Sequence, residues 1–154
     1  MALHDIKNFH RIDDRLGTGG QPTELQLHEV AQEGFRVVIN LGLLDPRYCL
    51  PDEAALVARL GMTYVHVPVV FDEPREAELD AFVAAMDAHA ATPTFVHCAA
   101  NWRVSSFVAL YGQLRRGWSV EEADAHARRF WQPNETWQRF MTEGRRRLRL
   151  DPTA

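Results

Sequence analysis

Val96-His97-Cys98-Ala99-Ala100-Asn101-Trp102-Arg103-Val104-Ser105 is the stretch on which the reading of this chain turns. It begins at the end of an apolar, β-branched run, Thr94-Phe95-Val96-His97, which predicts a short buried strand. It continues into a helical pattern from Arg103 to Arg116, with Val104, Phe107, Val108, Tyr111 and Leu114 on one face and Gly117 as the stop. A cysteine therefore stands between a strand end and a helix start. A helix start presents unpartnered N–H groups and a partial positive charge, which together attract anions. The same field favours the thiolate of Cys98, the reactive form of a cysteine.

The neighbours suit that reading. Arg103 carries a planar fork able to hold two oxygens of a phosphate. Ala99 and Ala100 are small enough to let the backbone approach an anion. Asn101 is among the few non-glycine residues that tolerate a left-handed conformation, which a tight loop needs. Trp102 is bulky, so it either faces outward and shapes the rim or packs. Ala99, Ala100, Asn101, Trp102, Arg103 and Val104 are the expected anion-binding stretch. A cysteine at a strand end can also be an ordinary buried hydrophobe. The joint occurrence of His97, Cys98, Arg103 and the strand-loop-helix setting argues against that.

Outward from this loop, strands and helices alternate. Toward the N-terminus the pattern predicts a helix from Arg75 to His89, with Leu79, Phe82, Val83 and Met86 on one face. Before it come a strand from Met62 to Val70, in which Pro68 marks an end or an unpaired position, and a helix from about Pro51 to Leu60. A loop from Gly42 to Cys49 follows a strand from Arg36 to Leu41, and a helix from Thr23 to Glu33 carries Leu25, Leu27, Val30 and Ala31. Gly17 to Pro22 reads as a turn and Phe9 to Leu16 as one or two short strands. Toward the C-terminus, Ser119 followed by Glu122 is a capping box that opens a helix to about Trp131. Pro133 breaks it, and Asn134 caps a last helix to about Leu150. The expected fold class is α/β: one domain over residues 1–154, with a mostly parallel central sheet flanked by helices and a helical C-terminal third. Ligands in such sheets bind beyond the carboxyl ends of the strands.

Composition sets limits. The chain has 154 residues, 46% hydrophobic and 25% charged, with a formal net charge of -4, so nothing global points to nucleic acid or a membrane. Arg139, Arg145, Arg146, Arg147 and Arg149 read as a solvated helix face, or else as a surface for an anionic partner or a substrate rim. Phe130, Trp131, Trp137 and Phe140 read as packing between two helices. Cys49 and Cys98 form neither a disulfide framework nor a zinc spacing. Cys49 is either a plain loop cysteine or a disulfide partner for Cys98. Met1 to Phe9 holds no apolar run of signal-peptide length, so a reducing cytoplasm is expected.

The stretch resembles the signature loop of the cysteine-dependent phosphatases: His-Cys, five residues, Arg, then Ser or Thr. More of the chain is similar to a small bacterial protein tyrosine phosphatase-like family, long catalogued as a domain of unknown function. Gly20-Gln21-Pro22, Val37-Val38-Ile39-Asn40-Leu41 and Tyr64-Val65-His66-Val67-Pro68-Val69 carry that similarity in order, ahead of the His-Cys loop. The resemblance implies that Cys98 attacks a phosphate monoester and forms a phosphocysteine while Arg103 holds the phosphoryl oxygens. It implies that Asp72, or its neighbour Glu73, protonates the leaving oxygen, with His97 and Ser105 in support. Phosphotyrosine-like or small phosphoesters would be substrates, and inorganic phosphate or sulfate would occupy the loop. A thiolate and an arginine suffice for this chemistry, so no metal or organic cofactor is expected.

The chain departs from that pattern. Only four residues, Ala99 to Trp102, separate Cys98 from Arg103. Val104 stands where the arginine usually would, and Asn101 replaces a glycine. A shift of one residue at a helix start turns a side chain by about 100°, so either the loop is rebuilt or Arg103 aims differently. A four-residue gap also resembles rhodanese-type sulfurtransferases, which carry a persulfide. A non-catalytic phosphate-binding module is the third reading.

Overall fold

The computed structural model describes residues 2–150, so Met1 and residues 151–154 of the expected domain lie outside the described residues. After a 3-10 turn at Ala2–Asp5, the strands are β1 (His10–Asp13), β2 (Leu16–Gly19), β3 (Val37–Asn40), β4 (Thr63–His66) and β5 (Thr94–His97). The helices are α1 (Glu24–Gln32), α2 (Glu53–Arg59), α3 (Glu76–Ala88), α4 (Trp102–Arg115), α5 (Val120–Ala127) and α6 (Glu135–Arg147). The strands form one sheet in the order β1-β2-β5-β3-β4. The pairs β2–β5, β5–β3 and β3–β4 are parallel, and only β1 runs antiparallel to its neighbour. The α/β class and the mostly parallel sheet are as the sequence predicts.

Alternation along the strands divides the core. Val38 and Phe95 face one side of the sheet, where Leu27 and Val30 of α1 and Leu56 and Val57 of α2 cover them. Val37, Ile39 and Val96 face the other side, against Leu79 and Phe82 of α3, Phe107 and Val108 of α4, and Trp137 and Phe140 of α6. β3 and β5 are buried along their whole length, which is why both read as continuous apolar runs. Local chemistry sets the helix starts. The Thr23 and Ser119 hydroxyls accept from the amides of Gln26 and Glu122, whose side chains accept in return. Asn134 Oδ1 accepts from the Trp137 amide.

The structure corrects several expectations. Gly17-Thr18-Gly19 is not a turn but the buried strand β2, beside the strand that leads to Cys98. Its glycines make room for aromatic side chains: a Cβ on Gly17 would sit 3.0 Å from the Phe35 ring, and one on Gly19 would sit 3.1 Å from the Phe95 ring. β4 ends at His66, although the Val67 and Val69 amides still donate to Asn40 O and Leu41 O, with Pro68 between them lacking an N–H. α5 stops at Ala127 rather than Trp131. Leu25 is 68% exposed and does not belong to the buried face of α1. Arg145 is not solvated: it donates to Asp124 and Gln113 at 2.6 and 2.8 Å, joining α6 to α5 and α4. No described helix is long and apolar enough to cross a membrane.

Candidate active site

Cys98 follows β5 directly and is 1% exposed. The loop after it is held by its carbonyls. The Gln21 amide donates to Ala99 O at 3.0 Å, and Asn8 Nδ2 donates to Ala100 O at 2.8 Å. In a planar trans peptide the next N–H points the opposite way, so the amides of Ala100 and Asn101 turn away from these anchors. Asn101 is left-handed, with φ 67 and ψ 11, and forms the N-cap of α4. Its Nδ2 donates to Asn8 O at 2.9 Å and to Thr18 Oγ1 at 3.1 Å. Among the described residues, the N–H groups of Ala99, Ala100, Trp102, Arg103 and Val104 have no protein acceptor. These are the donors that an anion at a helix start would take. The loop can pass so close to β2 because residue 20 is glycine. A Cβ there would lie 2.5 Å from Ala99 O.

The shortened spacing has a geometric outcome. Val104 turns into the core and is fully buried, while Arg103, one position earlier, reaches across to the segment after β4. Arg103 Nη1 donates to Val69 O at 2.7 Å, and its guanidinium lies 5.9 Å from the centre of the Phe71 ring. Arg103 is 6% exposed and pairs with no carboxylate among the described residues. A buried guanidinium without a counter-charge is costly, so this one is a ready partner for an anion.

The segment after β4 carries Asp72. Phe71 packs against Trp102, Trp131 and Trp137 at ring separations of 6.0, 5.4 and 5.9 Å, and its carbonyl accepts from Trp137 Nε1 at 2.8 Å. Asp72 and Glu73 are exposed at the following turn. Glu73 is engaged by Arg75 at 2.5 Å.

Behind Cys98, His97 is fully buried. Its Nε2 lies 2.5 Å from Glu53 Oε2 and its Nδ1 3.3 Å from Cys98 O. A carboxylate only accepts, so Nε2 is the donor. Glu53 Oε1 accepts from Gln21 Nε2 at 2.8 Å. Burial alone would raise the Glu53 pKa, but attraction to His97, its hydrogen bonds to His97 and Gln21, and the nearby His66 outweigh burial and hold it below the usual carboxylate value. Ser105 Oγ donates to Trp102 O at 3.0 Å and lies 3.4 Å from Ala127 O, tying the start of α4 to the end of α5.

Residues 4–143 match the family described as "DSP-PTPase phosphatase fused to NAD+ Kinase". This chain belongs to that family. A Xylella fastidiosa relative named "Beta-lactamase hydrolase-like protein" is 32% identical over 126 residues, covering 77% of this chain and 28% of that protein. The chain thus spans little more than a quarter of the length of the curated relatives it matches. Among solved structures, a phosphatase candidate (DUF442) from Shewanella putrefaciens CN-32 is 32% identical, with a TM-score of 0.85 over 95% of this chain and 96% of that one. Pseudomonas aeruginosa TpbA shares the fold at 17% identity, with a TM-score of 0.74 over 96% and 92% of the two chains, and a variant of it has been solved with phosphotyrosine. Family and neighbours agree with the protein tyrosine phosphatase-like resemblance read from the sequence.

With the family in place, the residues singled out from sequence can be located. Ala99 to Val104 form one loop and helix start next to Cys98, and Arg103 joins that loop to the segment bearing Asp72. Trp102 both packs and faces solvent: it is 37% exposed and stacks on Trp131 at 4.8 Å. Trp131 therefore lies beside the phosphatase-family loop and takes part in more than helix packing. Cys49 and Cys98 are both free thiols. Cys49 lines a separate cleft of about 520 Å³ with Leu50, Tyr64 and His66. Glu53 and Asn8 escaped the sequence reading. An acid in the first turn of a helix is ordinary dipole chemistry, and a lone asparagine in a loop carries no signal of its partner 92 residues away.

Proposed function

We propose that this chain is a cysteine-dependent phosphatase that hydrolyses phosphate monoesters through a phosphocysteine. One observation carries the reading: a buried arginine, with no carboxylate partner among the described residues, sits on the same helix start as amides after Cys98 that find no acceptor among those residues. A phosphate dianion would satisfy both. Its oxygens would accept from the loop amides and from the Arg103 N–H groups not used by Val69 O. Cys98 Sγ, as thiolate, would form a bond to phosphorus as the ester P–O bond breaks. Asp72 would give its proton to the departing oxygen. Water would then attack the phosphocysteine, losing a proton to Asp72, and release inorganic phosphate and the free thiolate. Asp72 is preferred over Glu73 because Arg75 already holds Glu73. Phosphotyrosine-like and small phosphoesters are the proposed substrates, in keeping with the phosphotyrosine bound by the TpbA variant.

The test is hydrolysis of para-nitrophenyl phosphate by the reduced protein from mildly acidic to neutral pH, beside Cys98→Ser and a thiosulfate-to-cyanide transfer assay. Turnover that disappears in Cys98→Ser supports the proposal. Sulfur transfer without phosphate release would replace it with rhodanese-like chemistry. Silence in both assays, with inorganic phosphate still bound, would leave an anion-binding module.

A further inference from the structure

The buried carboxylate of Glu53 has no part in the chemistry just described, yet it touches two separate supports of the Cys98 loop. One arm runs through His97, which donates Nε2–H to Glu53 Oε2 and, with both ring nitrogens carrying hydrogen opposite this carboxylate, Nδ1–H to Cys98 O. The other runs through Gln21, whose side chain bonds Glu53 Oε1 and whose backbone amide holds Ala99 O. The two carbonyls so addressed flank the same residue, Ala99. Both Glu53 and His97 have side chains almost wholly removed from solvent, at 2% and 0% exposure. The second half of the loop is held by other groups, Asn8 and the Asn101 side chain, which bond Ala100 O, Asn8 O and Thr18.

We propose that Glu53 is a positioning residue for the nucleophile: it fixes the two peptides on either side of Ala99 and so aims the Cys98 sulfur, while anion binding at the helix start is maintained independently. The proposal rests on the phosphatase reading for its kinetic arm only. Because the two halves of the loop have different anchors, loss of Glu53 separates attack from anion binding. A sulfur displaced by a fraction of an ångström attacks poorly, whereas the amides of Trp102, Arg103 and Val104 and the Arg103 side chain still donate to a bound phosphate. The groups that face Glu53 are His97 from β5, Gln21 from the turn after β2, and the more distant His66 and Tyr64 from β4. None of them replaces both arms.

The experiment compares wild type with Glu53→Gln, Glu53→Ala and Gln21→Leu, all carrying Cys49→Ser so that Cys98 is the remaining thiol. Three readouts are taken: kcat for para-nitrophenyl phosphate, the inhibition constant of inorganic phosphate, and the iodoacetamide alkylation rate of Cys98 at neutral pH. Expected for Glu53→Ala is a fall in kcat of about tenfold or more, slower alkylation, and a phosphate constant within about threefold. Glu53→Gln, which keeps the shape and one acceptor oxygen for the two donors, is expected to retain more activity than Glu53→Ala. Gln21→Leu, which leaves the backbone amide in place, is expected to show a smaller loss of the same kind. If Glu53→Ala does not fold, the other two variants decide. Unchanged kcat and alkylation, or kcat and phosphate binding lost in equal proportion, would overturn the proposal. Should wild type turn over no phosphate ester, the phosphatase reading fails while alkylation still tests Glu53: a slower rate in the variants supports its positioning role, and an equal rate removes it.

Discussion

Arg103 Nη1 donates to the carbonyl oxygen of Val69 at 2.7 Å, so the helix that follows the cysteine is tied to the segment that carries Asp72. One side chain thereby serves two loops, and under the proposed function the rest of its fork would hold the anion. Arg103→Lys keeps the charge and loses the fork. We expect kcat/KM to fall by about 10²–10³, the scale of one preorganised transition-state donor. Steady-state kinetics check this; a loss under threefold would show that Arg103 is only a strut.

The free carboxylate beyond Phe71 leads to a second prediction. Asp72→Asn should lower kcat by about 10²–10⁴ for an alkyl phosphate, whose leaving oxygen needs a proton. The loss should be much smaller for para-nitrophenyl phosphate, whose leaving group departs unprotonated. Glu73→Gln should leave both substrates within about twofold, the scale of a surface ion pair. Equal losses for Asp72→Asn on the two substrates would place the acid elsewhere.

Asn101 combines a left-handed backbone with two side-chain hydrogen bonds. Asn101→Gly should lose only the bonds, about 1–2 kcal/mol. Asn101→Ala should add the left-handed strain of about 1–2 kcal/mol. Denaturant unfolding of the two variants gives the comparison directly. An alanine variant as stable as the glycine one would mean that the loop abandons φ 67 at little cost.

At Gly20 there is no room for a methyl group, since its Cβ would lie 2.5 Å from a backbone oxygen of the cysteine loop. Gly20→Ala should therefore shift Ala99, lower kcat at least tenfold and reduce Tm. Wild-type kinetics in a folded Gly20→Ala variant would show that the loop tolerates displacement.

His126 supplies a pH dependence outside the site. It is 6% exposed between the rings of Trp118 and His10, and its Nε2 has no partner among the described residues. Burial, then the charges of His10 and Arg129, push its pKa down to about 4. An unfolded histidine titrates near ~6.5. Between these values the unfolded chain takes up a proton that the folded chain excludes. Stability therefore falls as pH drops from about 6.5 toward 4, by about 3 kcal/mol in total, and the contribution is level above 6.5. Urea unfolding at pH 7.5 and 4.5 should show a loss in wild type that His126→Phe largely lacks. Equal losses in both proteins would rule out His126 as the cause.

Much of this was legible from short-range chemistry. The buried β5, the helix that follows it, the Ser119–Glu122 box, the Asn134 cap and the left-handed Asn101 all depend on residues a few positions apart. The placing of Cys98 and Arg103 on one strand-loop-helix junction follows from a spacing that is itself local.

What only the tertiary structure decided involves partners distant in sequence. Gly17-Thr18-Gly19 looks like a turn until Phe35 and Phe95 are laid across it, when its glycines become the space those rings need. Glu53 looks like a first-turn acid until β5 brings His97 to it from 44 residues away. Trp131 looks like the end of a helix until the fold sets it beyond α5 and stacks it on Trp102. Arg103 could not be aimed from its spacing alone, because Val69 O becomes its partner only when β4 and β5 lie in one sheet. Periodicity and capping act over one or two turns of chain, so the sequence by itself determined most of the elements and the strand-loop-helix setting of Cys98. Which buried polar groups meet is set by strand order and packing, and that is where the supports of Cys98 were decided.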